Sequence, residues 1–388
     1  LRTPDRRTLT QSARESARRI TDRPLDDDVP APLEGRYVVC LNESSVSFSN
    51  TKEHYMPVVR RSTPVRVIAA ALIASIPVLI GPALAQGPAG LAARYPGDAG
   101  IENDPAVIFV EKFEEPTLDE VFTRWGNVKN GPGMQWSTDV PAGSPGGRAL
   151  SIPWIGGVND GGHLYKMLTP GVNDTLYVRY YIKYPATGNV HHSGIWMGGY
   201  NPISAWPDPK AGVRPDGTDR FIAGAEQNNI TNAFDHYDYW MNMRPDGWGD
   251  YWGNFLLNSA SVQAPRNQWT CVEHMVKLNN PVSASNGEHA IWLNGVKVSH
   301  LGPGFPTGSW SGGIFTQGAG TAFEGFRWRS TTSLPINWIW LMNYSPENPA
   351  GSSDTIKYDH VVLATSYIGC LTPGGSAPSA PTGLRIVS

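Results

Sequence analysis

Apolar and polar residues alternate with a period of two through most of the chain beyond residue 106, and no long stretch keeps the 3.6-residue period of a helix. The alternation predicts strands over 106–113, near Met134, and over 149–153, 162–166, 176–184, 191–200, 221–226, 234–244, 268–279, 288–298, 323–329, 336–344 and 355–364. The acidic segment from Glu114 to Trp125 has room for one or two helical turns. Asn286-Gly287 and Asn294-Gly295 read as tight turns, and Gly131–Gly133 and Pro141–Gly147 are turn clusters. Many short strands, tight turns and no crossover helix predict an all-β protein, with antiparallel sheets packed face to face as a sandwich. One long loop, 201–220, is rich in Pro, Gly and Asp, and loops of that length usually carry function.

Composition narrows the class. The 388 residues include 42 Gly, 33 Pro, 14 Trp and 15 Tyr, with a net charge of −3. Turn-rich and aromatic-rich content suits a β-sandwich, and the near-neutral balance gives no basic stripe for nucleic acid. Arg60 to Arg66, the apolar run 67–80 and the small residues up to Ala85 form the three parts of a secretory signal peptide. The apolar run is short for a membrane span and Pro77 interrupts it, so no membrane partner is expected after cleavage at Ala85. The first methionine is Met56, so residues 1–55 are expected to be a disordered extension outside the native reading frame. The expected organisation is therefore 1–55 extension, 56–85 signal peptide, 86–105 loop, 106–370 sandwich domain and 371–388 linker. With Cys40 in the discarded part, an exported chain retains Cys271 and Cys370. That pair invites one disulfide stapling the chain terminus to the sheet, and neither cysteine has a zinc-type spacing.

The stretch from Tyr177 to Arg244 mixes aromatic and ionisable side chains in a way that suits a polar groove better than a core. Alternation assigns Leu176, Val178 and Ile182 to the core and turns Tyr177, Arg179, Tyr181 and Lys183 the other way. Over 234–244 it separates Tyr237, Tyr239, Met241 and Met243, the greasier face, from His236, Asp238, Trp240, Asn242 and Arg244. Glu226 opposes Phe221, Ala223 and Ala225. Three strands with a polar-aromatic face predict adjoining strands of one groove. His191 and His192 follow each other, and neighbours on a strand face opposite ways, so the pair is not expected to share a metal or a substrate. His192 is favoured because it shares a face with Trp196.

The segments Trp269–Asn279, Asn286–Gly295 and Tyr358–Gly369 are similar to those of secreted bacterial proteins of the concanavalin A-like jelly-roll class, notably polysaccharide lyases of the alginate, glucuronan and heparin lyase kind. The resemblance spans roughly 106–369. It implies two antiparallel sheets, one of them grooved for a sugar chain, and allows a structural calcium, with no cofactor required. The alginate lyase signatures Arg-[Ser/Thr]-Glu-x-Arg, Gln-[Ile/Val]-His and Tyr-x-Lys-x-Gly-x-Tyr are absent, as is the Glu-x-Asp-x-x-Glu of jelly-roll glucanases. The resemblance therefore reaches the fold more specifically than the activity.

A lyase acting on a uronic acid must neutralise the substrate carboxylate, remove the α-proton and protonate the leaving oxygen. Arg179 and Arg244 are the candidates for neutralisation, with Asn242 assisting; His192 and His236 are candidate bases and Tyr181 a candidate acid. Glu226 either orients one of these groups or belongs to a structural ion pair. Tyr177, Lys183, Trp196, Trp240, Trp338, Trp340 and Tyr344 are candidate sugar contacts, because flat rings offer an apolar platform to a pyranose. The expected partner is a polysaccharide or oligosaccharide. Whether the protein is catalytic stays open: a non-catalytic glycan-binding module would show the same strands, and a hydrolase would need two facing carboxylates, for which Glu226 and Asp238 are the available pair.

Overall fold

The computed structural model describes residues 89–372, apart from 206–208, 229–232 and 347. The expected extension, the signal peptide, Cys40 and most of the C-terminal linker lie outside the described residues. Strands are numbered in chain order. The larger sheet runs β12 (Val296–Leu301), β11 (Glu288–Leu293), β10 (Trp269–Lys277), β6 (Thr175–Lys183), β17 (Ser353–Ala364), β4 (Ala149–Ile155) and β3 (Gln135–Ser137), with β1 (Val107–Glu111) also on β17. The smaller runs β2 (Asn127–Lys129), β5 (Gly161–Val172), β16 (Ile336–Tyr344), β7 (Ser193–Tyr200), β8 (Arg220–Gln227) and β9 (Phe234–His236). A three-stranded sheet, β14 (Ile314–Gln317), β13 (Thr307–Ser311) and β15 (Thr321–Ala322), stands beside them. The ladders are antiparallel, as the tight turns and missing crossovers require. The architecture is the jelly-roll sandwich expected from the sequence. The helix predicted in the acidic segment is α1 (Leu118–Phe122), capped by Thr117, whose Oγ1 accepts from the Glu120 N–H at 3.3 Å.

Leu176, Val178 and Ile182 enter the core between the sheets together with Tyr180, as the alternation of β6 dictates. Leu164, Ile195, Met197, Ile339 and Leu341 meet them from the smaller sheet. Each such side chain contributes about 1.5–3 kcal/mol through burial, and this continuous core holds the sheets together.

Two expected strands give way to other structure. Beyond His236 the 234–244 segment keeps only bridges at Asp238 and Tyr239, then turns at Met241 and Asn242. Over 323–329 a left-handed Gly325 (φ 81) interrupts the chain, and Phe323, Phe326 and Trp328 all bury at non-alternating positions. The 288–298 segment is two strands, split at Asn294-Gly295, where φ values of 50 and 79 form the hairpin turn. Strands β13 and β15 are short and rich in Gly, Ser and Thr, with largely exposed faces, so no apolar alternation announces them.

The outer face of the larger sheet is covered. The 3-10 turns Leu91–Arg94, Pro96–Asp98 and Ile101–Asn103 lie across it with the 367–372 segment. Leu91 donates to the Tyr367 carbonyl at 3.1 Å and Ala92 to that of Ile368 at 2.8 Å. Cys271 on β10 and Cys370 form the expected disulfide, with a Cα–Cα distance of 5.9 Å across a separation of 99 residues.

Candidate functional site

The outer face of the smaller sheet is open. Pairing places Trp340 opposite both Trp196 and Tyr165, and Trp196 opposite Gly224, so these positions share that face. Gly224 is required there: a Cβ would stand 2.8 Å from Trp196 Nε1. Met342 and His163 form the next row, and Tyr344 the one after. Together with Lys129, Tyr237 and Trp252 they line a cleft of about 530 Å³. A second cleft of about 430 Å³ continues from it, walled by Asp246, Asn254, Phe255 and Ser311–Ile314. His192, Tyr237 and Trp252 line both, so they form the waist of a two-lobed groove.

The chemistry at the waist comes from the turn before β7. His192 has φ 59, in the left-handed region. That backbone reversal defeats strand alternation and brings both histidines to one carboxylate. Glu226 Oε1 lies 3.2 Å from His191 Nε2 and 3.1 Å from His192 Nδ1, and Oε2 accepts from Trp196 Nε1 at 2.9 Å. The imidazoles stack at 3.7 Å. The expectation that the pair could not act together is thus corrected, the cause being one backbone torsion. Burial by itself pushes the Glu226 carboxyl up, but the charge and hydrogen bonds of His192, then of His191, outweigh it and hold the pKa at about 2. Glu226 is consequently a fixed anion that orients His192 through Nδ1 and leaves Nε2 for the cleft.

Around the waist, His192 packs against Tyr237 at 4.9 Å and Tyr344 at 5.8 Å, while Trp196 stacks on Tyr237 at 5.3 Å. Burial, then the neighbouring Tyr239, pushes the Tyr237 hydroxyl well above its ordinary range, so it keeps its proton. Lys129 brings a cation to one lobe, 2.8 Å from Asp160 Oδ1 and 5.8 Å over the Tyr344 ring. His163 beside it is held near 4 by burial and then by Lys129, which keeps it neutral. His191, His192 and Glu226 converge closely enough to hold a cation, though the Trp196 N–H already occupies one carboxylate oxygen.

Of the residues singled out from the sequence, His192, Glu226, Trp196, Trp340 and Tyr344 come together here. The others do not. Arg179, Tyr181, Tyr177 and Lys183 belong to β6, which lies in the larger sheet, so the face they share is the covered one. Arg179 is fully buried, 2.6 Å from Asp98 Oδ2, and donates to the His360 carbonyl at 3.0 Å. Tyr181 accepts from Leu371 N–H at 2.9 Å, Tyr177 packs on Trp292 and Tyr367, and Lys183 pairs with Asp139 at 2.8 Å. His236, Asp238 and Trp240 point inward: the β8–β9 register sets His236 opposite Ala225, on the core side. Trp240 is buried against Phe326, and Trp338 against Tyr165 and Tyr200. Asn242 is exposed in a turn, and Arg244 sits 4.4 Å over Trp310, outside the groove lining. The faces of 237–240 are therefore the reverse of those expected, and Tyr237 and Tyr239 are the residues that line the cleft. Lys129 and Trp252 had no signal of their own, on a three-residue strand and in a loop, and His163, on the long strand β5, gains its neighbours only from the fold.

No family model matches the chain, and no curated protein matches it. Solved structures similar to it include the alginate lyase Aly36B and the alginate lyase of Aplysia kurodai, each at 12% identity with a TM-score of 0.45. The first match covers 69% of this chain and the second 67%, each taking in 99% of the other chain. Peanut lectin is similar at 10% identity, 66% of this chain, 97% of its own and a TM-score of 0.29.

Proposed function

We propose that the protein is a secreted, carbohydrate-active enzyme that binds a glycan chain along the two-lobed groove and cleaves a uronate-containing polymer by β-elimination. The observation that carries this reading is the position of His192: an imidazole oriented by a buried carboxylate, at the waist between two aromatic-walled lobes. A polymer spanning both lobes puts an internal bond beside His192. In the proposed step, His192 Nε2 takes the proton α to the substrate carboxylate. The electrons form the new C=C bond, the C–O bond to the neighbouring sugar breaks, and the Tyr237 hydroxyl protonates the departing oxygen. Lys129 balances the carboxylate charge. Hydrolysis is disfavoured, because Glu226 is a buried anion held by His191, His192 and Trp196, and Asp238 lies in the core; neither meets a sugar in the groove. Export agrees with the disulfide, and no described helix is long and apolar enough to cross a membrane.

The test is to incubate the purified protein with a panel of uronate polymers and follow the absorbance of the unsaturated product. Activity on at least one polymer is expected, with His192→Ala lowering kcat about 10²- to 10⁴-fold. Retained binding without absorbance on any polymer would turn the reading into a non-catalytic glycan-binding module.

A further inference from the structure

Behind β8, on the side away from the groove, the core contains a polar cluster that the proposed chemistry does not use. His236 ends β9, Asp238 follows two residues later, His274 lies on β10, His289 on β11 and Ser299 on β12. The cluster therefore joins the smaller sheet to the larger one, and His236, Asp238, His274 and His289 are fully buried.

Three of its atoms converge. His289 Nδ1 lies 3.0 Å from His236 Nδ1 and 2.9 Å from Asp238 Oδ2, and the triangle closes with 3.7 Å between His236 Nδ1 and Asp238 Oδ2. Hydrogen bonding alone accounts poorly for this triangle. A neutral ring nitrogen carries either one proton or one lone pair, so His289 Nδ1 can serve one of its two contacts well, and the 3.7 Å edge is too long for a hydrogen bond. As edges between ligands the distances are ordinary. An ion held tetrahedrally by bonds of about 2.0–2.1 Å sets neighbouring donors roughly 3.3 Å apart, inside the observed spread.

The remaining polar atoms are arranged as a supporting shell around such an ion. His236 Nε2 is 2.8 Å from Ser299 Oγ, and His289 Nε2 is 3.2 Å from His274 Nδ1. Each converging ring thus has its far nitrogen engaged, which fixes tautomer and orientation. Gln317 donates to Ser299 Oγ at 2.9 Å, holding that hydroxyl in turn. Asp238 Oδ1 accepts from the Gly224 N–H at 3.1 Å, leaving Oδ2 free to converge. The partners of this buried carboxylate are two imidazoles and one backbone amide, so a cation at the centre of the triangle would supply the charge its burial calls for.

We infer that His236 Nδ1, His289 Nδ1 and Asp238 Oδ2 form a buried site for one divalent ion of the zinc class, bridging the two sheets. Two imidazoles and one carboxylate suit zinc better than calcium or magnesium, which take all-oxygen shells. No sequence motif announces the site, because its ligands come from β9, the segment after it, and β11. The inference is independent of the proposed glycan chemistry.

The experiment is metal analysis of the full chain, purified without a polyhistidine tag from zinc-supplemented culture. About one zinc per chain is expected, and exchange for cobalt should give the intense visible absorption of a tetrahedral cobalt centre. Asp238→Asn and His289→Gln should lose both signals, while His192→Ala, which alters the groove cluster instead, should retain them. Ser299→Ala keeps all three ligands and covers the case in which a ligand variant fails to fold; its zinc affinity should fall about 10- to 100-fold. Three results would overturn the inference: no stoichiometric metal in the parent protein, metal lost in His192→Ala but kept in Asp238→Asn, or unchanged affinity in Ser299→Ala.

Discussion

On the outer face of the larger sheet, Arg179 of β6 is sealed against Asp98 and His360 beneath the N-terminal turns. On the outer face of the smaller sheet, His192 and Trp196 look into an open groove. The side chains are of the same kinds, an ionised group, a histidine and several aromatic rings, and in both places they face away from the main core. What separates them is cover. A dozen residues before β1 and half a dozen after β17 convert one face into a small second core, stapled by Cys271–Cys370. The described loop residues around the other face leave it open. Polar-aromatic faces mark where a sheet meets something other than the main core; what they meet depends on segments far away in sequence.

The comparison can be broken by exchanging one residue on each side. His192→Ala should remove turnover while costing only about 1–2 kcal/mol of stability, since Glu226 keeps His191 and Trp196. Arg179→Met should do the opposite. Stranding Asp98 in the covered face costs about 3–5 kcal/mol in urea unfolding, with kcat per folded molecule unchanged. Equal losses of activity from both would mean that the two faces are not separate. Removing the staple by Cys271→Ser with Cys370→Ser should cost about 2–4 kcal/mol, again without touching the groove.

Smaller, and sharper about charge, is the pH dependence. Glu226 sits at about 2 against an ordinary 4.5, so its stabilising contribution is complete above about pH 4.5 and fades as the pH falls toward 2. On the covered face burial raises Glu273 to about 7 and Asp359 to about 8. There the native protein keeps protons that the unfolded chain releases from about pH 4 upward, so stability declines as the pH climbs to about 8. The contribution of these two groups to the urea midpoint should therefore be larger at pH 5 than at pH 8. It is set against the opposite slope of His163 and His289, which burial keeps neutral while the unfolded chain takes up protons below about pH 6.5. Glu273→Gln with Asp359→Asn should flatten that slope, by up to about 1.4 kcal/mol per pH unit for each group. An unchanged slope would count against ionisable burial on that face.

Strand existence was legible because burying one face of a sheet imposes a period of two over many residues. Leu176, Val178 and Ile182 went where that period sends them. Which sheet β6 joins was not legible, since Arg179 and Trp196 look alike from their own neighbourhoods. The inverted faces of Tyr237 and Trp240 have a local cause: pairing with β8 fixes His236 opposite Ala225, and a strand that short has too few residues to declare its register. The meeting of His191 and His192 at one carboxylate escapes the sequence for a different reason. Alternation assumes extended backbone, and the left-handed turn at His192 lies outside that assumption.

That turn also sets the protein's interests against each other. A backbone with φ 59 suits glycine, and a side chain there costs on the order of 1 kcal/mol. The imidazole proposed to do the chemistry is thus installed where the chain would fold more comfortably without any side chain. His192→Gly should return part of that strain against the lost contact with Glu226, leaving the protein closer to parental stability than His192→Ala and equally inactive. Selection for thermal tolerance alone would then exert little hold on this position, and only selection for turnover would keep the histidine in place.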